Sequence, residues 1–479
     1  MHTNFNSRIR PLAIGALLLC LNGGCVVGPR YQAPQADLAP LHNTMKSEPG
    51  TSQPSPPLDQ WWTGFQDPTL THIVDRTLRQ NLELTAALAR VDQARAVARE
   101  AGAGLLPQGD LEAQVGQLHQ SLGSPIGTIG SHLPGYNRNQ TLYDLGVGAS
   151  WEIDLFGGLR RAREVARADA EAAEAGRVGV RITVAAEAAD AYLQIRGDQV
   201  RLEVAEKQVT ADANLLELVR LRIRAGAAAD REVAQSEALL AAARASIPPL
   251  RTELEGQLNR LDVLMGAQPG TYSAELKGPG EIPLAPNASA NVAPGDLVRR
   301  RPDIKVAERH LAAANARIGL AIAEYYPKVS LSGLIGFEGL GTSHLFSSGD
   351  SQLEAAGGLR WRLFDFGRID SEVAHARGAE AEALAEYRQT VLRAAEDVED
   401  SLVALIQLRA RSTELAAEVD ALTRARDTAE EDYKAGAIAL TDVLDADREL
   451  LAAQDDLAHA RADTARAAVA VFRAMGGGW

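Results

Sequence analysis

The chain contains the same unit twice. Trp151-Glu152-Ile153-Asp154-Leu155-Phe156-Gly157 returns as Trp361-Arg362-Leu363-Phe364-Asp365-Phe366-Gly367, an offset of 361 − 151 = 210 residues. The same offset pairs Ala185 with Ala395, Asp190 with Asp400, Gly226 with Gly436 and Val233 with Val443. Upstream the offset is 220, pairing Ala96 with Ala316, Pro107 with Pro327 and Gly116 with Gly336. The first copy is therefore longer by 220 − 210 = 10 residues, inserted between Gly116 and Trp151. A duplication of this length restricts the fold to architectures in which one unit is built twice.

The N-terminus reads as a processing signal. Arg8 and Arg10 precede an apolar run from Leu12 to Leu21. That run is too short for a bilayer core of about 30 Å, which needs about 20 residues, but has the length of a secretory signal. It ends at Leu21-Asn22-Gly23-Gly24-Cys25, which resembles a bacterial lipoprotein cleavage box with Cys25 as the acylated first residue. An ordinary signal peptide with an incidental Cys is the alternative. Cys20 would leave with the signal, so no intrachain disulfide remains possible. Val26 follows where lipoproteins retained in the inner membrane usually carry Asp, which favours the outer membrane. A net charge of −14 argues against nucleic acid as a partner.

Residues 32–60 are rich in Pro, Ser and Gln and read as an extended tether, after which Trp61, Trp62 and Phe65 open a helical stretch. Helical apolar spacing runs from Leu70 to Gly104 and stops at Pro107. Four segments then alternate with period two. In the clearest, Tyr143, Leu145, Val147, Ala149, Trp151, Ile153 and Leu155 oppose Asp144, Gly146, Gly148, Ser150, Glu152 and Asp154. Leu353, Ala355, Leu359, Trp361 and Leu363 repeat the pattern, and weaker versions lie at Leu111–Val115 and Val329–Ile335. One apolar and one polar or Gly-lined face suits a transmembrane β-barrel strand; a soluble sandwich strand has the same period. The intervening segments, Ser121 to Gln140 and Gly339 to Gln352, read as loops. Four strands cannot close a barrel, and open edges are not tolerated in lipid. Several chains must then share one barrel.

Each hairpin leads into 67 residues without Pro, Gly158 to Arg224 and Arg368 to Lys434, dense in Ala, Glu, Arg and Leu. At 1.5 Å per residue each helix would reach about 100 Å. Gly226 and Gly436 end them in the manner of C-terminal caps. Return helices, about Asp230 to Met265 and Thr441 to Met475, predict antiparallel coiled coils. The expected organisation is a signal peptide at 1–24, a lipid-anchored tether at 25–66, a first repeat at 67–266 with its hairpin near 108–156, a linker at 267–295, and a second repeat at 296–479 with its hairpin near 328–366.

The Cys25-Val26-Val27-Gly28-Pro29-Arg30-Tyr31 start, Trp61-Trp62, Leu297-Val298-Arg299-Arg300-Arg301-Pro302-Asp303-Ile304, the Trp151–Gly157 segment and the stretch from Gly436 to Leu450 together resemble outer-membrane factors of the TolC/OprM type. The nearest likeness is the lipoprotein branch that works with resistance-nodulation-division pumps. The resemblance implies a mainly α fold with a membrane β part. Three chains would share a twelve-stranded β-barrel, continued by an α-barrel of coiled-coil helices through the periplasm. It implies a passive homotrimeric conduit for small molecules such as drugs, without cofactor beyond the lipid on Cys25. Outer-membrane lipid, a periplasmic adaptor protein and an inner-membrane pump would be its further partners. Export of metal or protein is the alternative cargo, and a lipid-anchored periplasmic scaffold the alternative class.

No catalytic constellation or metal-ligand pairing stands out, so an enzyme is not expected. The periplasmic tip is expected at Gly226 and Gly436, with Arg224 and Lys434 beside them as adaptor-contact candidates. Thr441-Asp442-Val443-Leu444-Asp445-Ala446 resembles the family's gate segment. Asp442 and Asp445 are three apart and share a helical face, and Arg448 lies one turn on. Three copies would form a carboxylate ring, which favours cations. Simple helix capping is the competing reading for Asp442 and Asp445. Arg299 to Arg301 read as a helix-end charge cluster, and Trp61, Trp62 and Tyr31 as packing groups.

Overall fold

The computed structural model describes residues 26–35, 39–43, 57–226, 229–278, 280–286 and 294–478. The signal segment and Cys25 lie outside these residues. The helices are α1 (Pro68–Gln80), α2 (Leu82–Ala103), α3 (Pro125–Gly130), α4 (Gly158–Arg224), α5 (Asp230–Leu264), α6 (Pro294–Arg300), α7 (Pro302–Ala323), α8 (Arg368–Ala435) and α9 (Leu440–Ala474). The strands are β1 (Gln108–His119), β2 (Asn139–Ile153), β3 (Lys328–Gly339) and β4 (Ser351–Arg360). The chain divides into two compact units. Among the described residues, no helix is long and apolar enough to cross a membrane.

The first unit, residues 1–34, 92–172 and 308–386, holds the sheet. Its four strands pair antiparallel in the order β1-β2-β3-β4, leaving β1 and β4 as edges. Register puts Leu111 opposite Val147, Val147 opposite Ile335, and Ile335 opposite Leu353. These four therefore share one face, and Leu111, Ile335 and Leu353 are 71%, 63% and 82% exposed. In a water-soluble sandwich this face would be the covered one. Asp110, Asp144, Glu338 and Gln352 occupy the other face, where Gln352 donates to Asp144 at 3.1 Å. The strand ends repeat one device: Trp151 Nε1 donates to the Leu105 carbonyl at 3.0 Å, and Trp361 Nε1 to the Tyr325 carbonyl at 2.9 Å. Asp154 accepts from the amides of Leu159 and Arg160, and Asp365 from that of Ile369, so each carboxylate satisfies orphan donors at the start of a long helix.

An N-terminal strap crosses this unit. The Val27 amide donates to the Phe156 carbonyl, and Arg161 donates to the carbonyls of Val27 and Gly28. Gly28 has φ +90°, and a Cβ there would come 2.4 Å from the Gly319 Cα, so only glycine fits. Tyr31 hydrogen-bonds Glu308 and lies under the Arg309 guanidinium, which is the packing role expected of it.

The second unit, residues 35–91, 173–307 and 387–479, is helical. Its core gathers Trp61, Trp62, Phe65, Tyr192 and Phe472 with a run of alanines on α4 and α9. Trp61 stacks on Phe472 at 5.5 Å. Small residues let backbones approach: a Cβ on Gly197 of α4 would lie 2.7 Å from the Ala462 Cβ of α9. The duplication shows in the chemistry as well. Asn81 Nδ2 donates to the carbonyl of Leu264, the last residue of α5, and Arg301 Nη1 to that of Ala474, the last residue of α9. Both helices then stop at a left-handed glycine, Gly266 or Gly476.

Three expectations are corrected. The stretch from Leu70 to Gly104 is two helices, because Asn81 adopts extended dihedrals and caps α2 through the Leu84 amide. The loop from Ser121 to Gln140 contains α3, started by Ser124 as cap and Pro125 at the first helical position. The arginines 299–301 are not one cluster. Arg299 and Arg300 reach Asp296 near the surface, whereas Arg301 is buried and binds Asp303, Asp397 and two carbonyls. Burial opposes the Arg301 charge, but Asp303 and Asp397 hold its pKa above the ordinary value.

Candidate functional site

The two helix turns meet in the second unit. α4 and α8 end alike: Gly226 has φ +71° and Gly436 φ +78°, a region that only glycine enters without strain. The Gly226 amide donates to the Ile223 carbonyl, the Gly436 amide to that of Tyr433, and the Ala437 amide to that of Asp432. Leu215, Val219, Tyr433, Leu440 and Val443 form a small apolar core joining α4, α8 and α9 beneath the turns.

Each return helix opens with a carboxylate reaching back to its own start. Asp442 Oδ2 accepts from the Ala439 amide at 3.1 Å, and Glu232 Oε1 from the Ala229 amide at 3.4 Å. Asp442 therefore caps α9, where the helix dipole also favours a negative charge. Asp445 is exposed and pairs with Arg448 of the same chain at 2.9 Å, side chains 63% and 72% accessible. Such an exposed pair contributes about 0–1 kcal/mol, too little to organise the turn by itself. Lys434 pairs with Glu430 at 2.7 Å, and Arg224 is the last residue of α4. A groove of about 670 Å³ runs between α4 and α5 here, lined by Glu217, Arg220, Arg224, Asp230 and Glu237.

A bond between the copies at the turns uses a tyrosine that the sequence did not single out. Tyr433 Oη of α8 donates to Glu232 Oε2 of α5 at 3.0 Å. The Tyr433 side chain is 1% exposed. Arg222 of α4 lies 4.1 Å above its ring and donates to its carbonyl. Burial first, and then the Glu232 charge, push the Tyr433 hydroxyl up to about 12, so it stays a donor at any physiological pH. A signal was available: Tyr433 stands where the first copy has Ile223 (433 − 210), a hydroxyl against an aliphatic side chain at a helix end.

An open four-stranded sheet with an apolar exposed face, joined to helices of 67 and 68 residues, defines the protomer of an outer-membrane channel. The chain belongs to the outer membrane efflux protein family, whose pattern matches residues 73–267 and 293–477, one match for each copy. It is 33% identical over 420 residues to the pyoverdine export outer membrane protein OpmQ of Pseudomonas aeruginosa, covering 88% of this chain and 87% of that protein. It is 29% identical over 482 residues to the solvent efflux pump outer membrane protein SrpC of Pseudomonas putida, covering 98% and 99%. The solved outer-membrane channel OprN is similar over 95% of this chain and 100% of its own, with TM-score 0.83 and 34% identity.

The chain is thus an efflux channel of the outer membrane, and its relatives are channels, not enzymes. The fold is one protomer's share of a trimeric α-barrel and twelve-stranded β-barrel.

Proposed function

We propose that three copies form a passive conduit that carries small molecules outward and is gated at the helix turns around Gly226 and Gly436. A periplasmic adaptor would engage those turns through Arg224, Lys434 and the groove between α4 and α5, and couple the channel to an inner-membrane pump. Cys25 would carry the covalent lipid; the strap fixed by Val27 and Gly28 starts two residues after it and would tie that anchor to the base of β2. The observation that carries the reading is the open sheet: β1 and β4 leave backbone groups that only other copies can satisfy in lipid. The same symmetry would bring three Asp442–Asp445 faces around one axis, so that the caps also serve as a carboxylate constriction. The domain division argued from the sequence, two repeats at 67–266 and 296–479 joined by a linker at 267–295, belongs to this proposal.

The test is single-channel conductance of the purified protein in a planar bilayer, wild type beside Asp442→Ala/Asp445→Ala. Small cation-preferring currents that grow in the double variant are expected. Unchanged closed-state conductance in a folded, inserted oligomer would reduce Asp442 to a helix cap and Asp445 to the surface partner of Arg448. Absence of any current in both proteins would overturn the conduit.

A further inference from the structure

A buried carboxylate sits between the copies, apart from the turns. Asp212 of α4 is 1% exposed. Its Oδ1 accepts from Gln208 at 2.7 Å, while its Oδ2 is buried without a hydrogen-bond partner. Asp447 of α9 is 2% exposed and faces the same region. The local cation, Arg426 of α8, is committed to Asp447 at 2.8 Å and to Glu430 at 2.8 Å, with Asp427 at 3.3 Å. From α5, the register set by Arg220–Glu237 and Arg251–Glu206 brings the buried Ala243 to this level, with Arg244 exposed beside it. Three carboxylates thus bind this guanidinium, and Asp212 lies beside them without a share in those bonds, in an interface of three helices. An orphaned buried carboxylate oxygen is costly, and a proton on it removes both the charge and the repulsion.

We propose that Asp212 is a proton-operated clamp: when protonated it lets α4 pack against α9 beside Asp447, and when ionised it pushes this contact apart and loosens the helices below the turns. The clamp rests on the gated-conduit reading for its consequence, but not for its chemistry.

Burial first, and then Asp447, raise Asp212 from its ordinary 3.8 to about 6. With the α4–α9 contact opened to water the carboxyl returns towards 3.8. Between these values the packed state holds a proton that the opened state has released, so raising the pH disfavours the packed state. From pH 5 to pH 7 the packed-to-open ratio should fall about tenfold per protomer. Acid therefore closes this device.

The experiment uses the full-length protein in liposomes, wild type and Asp212→Asn, which keeps the shape of the protonated acid. Hydrogen–deuterium exchange around residues 205–219 and 440–454 is compared at pH 5 and 7, corrected for intrinsic exchange. Wild type should be about tenfold more protected at pH 5, and Asp212→Asn equally protected at both. Closed-state conductance of wild type should rise from pH 5 to 7 and stay low in the variant. A pH difference in exchange or in conductance that survives in Asp212→Asn, or the absence of one in wild type, would overturn the clamp. Should exchange respond as expected while no protein conducts, the clamp stands and the conduit falls.

Discussion

Replacing Tyr433 with Phe removes one hydroxyl and almost nothing else. The ring stays in its apolar cluster, under Arg222, and no cavity opens. What is lost is the 3.0 Å bond to Glu232 across the two copies. A hydrogen bond to a charged acceptor contributes about 1.5–3 kcal/mol net. Glu232 sits at the start of α5 and is partly exposed, so water can replace the hydroxyl, and the lower figure applies. About 1.5 kcal/mol is a little over tenfold in the closed-to-open ratio for each protomer. Tyr433→Ala is a poorer probe, because deleting a buried aromatic ring costs about 3–5 kcal/mol through packing alone. Opening is read as closed-state conductance in planar bilayers, with the oligomer checked by mobility before heating. Leakage should rise about tenfold or more in Tyr433→Phe while the heat stability of the oligomer stays close to wild type. Wild-type conductance in a folded Tyr433→Phe oligomer would refute the idea that this bond holds the turns together.

Two further outcomes follow from the packing. Arg301→Ala should destabilise the second unit by about 2–3 kcal/mol, since the Ala474 carbonyl is left unsatisfied while the half-exposed Asp303 and Asp397 regain water; faster hydrogen exchange confined to the end of α9 and the start of α7 is the check, and unaltered exchange there would contradict it. Gly28→Ala should detach the strap, because its Cβ cannot fit against Gly319 at φ +90°; protease cleavage near Tyr31 should accelerate several-fold with the helices intact, and a resistance equal to wild type would show that the strap can shift without cost.

Local pattern and tertiary arrangement contributed different things. The helix ends at Gly226 and Gly436, the period-two faces and the Pro-free runs are local properties, so they could be read from neighbours in the chain. The offset of 210 extended that reading, since what holds for one copy is expected of the other. The copies also differ, and they differ at the polar groups that bridge them. Tyr433 against Ile223, Asp212 against Leu422 and Arg426 against Leu216 each put a polar group where the sister copy has an aliphatic one. Arg301 looked like its neighbours Arg299 and Arg300, because a row of like charges carries no mark of which member is buried.

The sequence by itself determined the elements: two copies, four strands with one apolar face, and two long helix hairpins closed by glycine. Backbone sterics, hydrophobic period and turn chemistry act within a few residues, so they are written into the order of side chains. Only the tertiary structure decided which polar groups from distant segments meet. Tyr433 and Glu232 lie 201 residues apart, and Arg301 and Ala474 lie 173 apart. Whether a carboxylate caps its own helix, binds a distant donor or is stranded beside another acid depends on desolvation and on angles set by helix packing. Neither quantity exists until the copies are folded against each other.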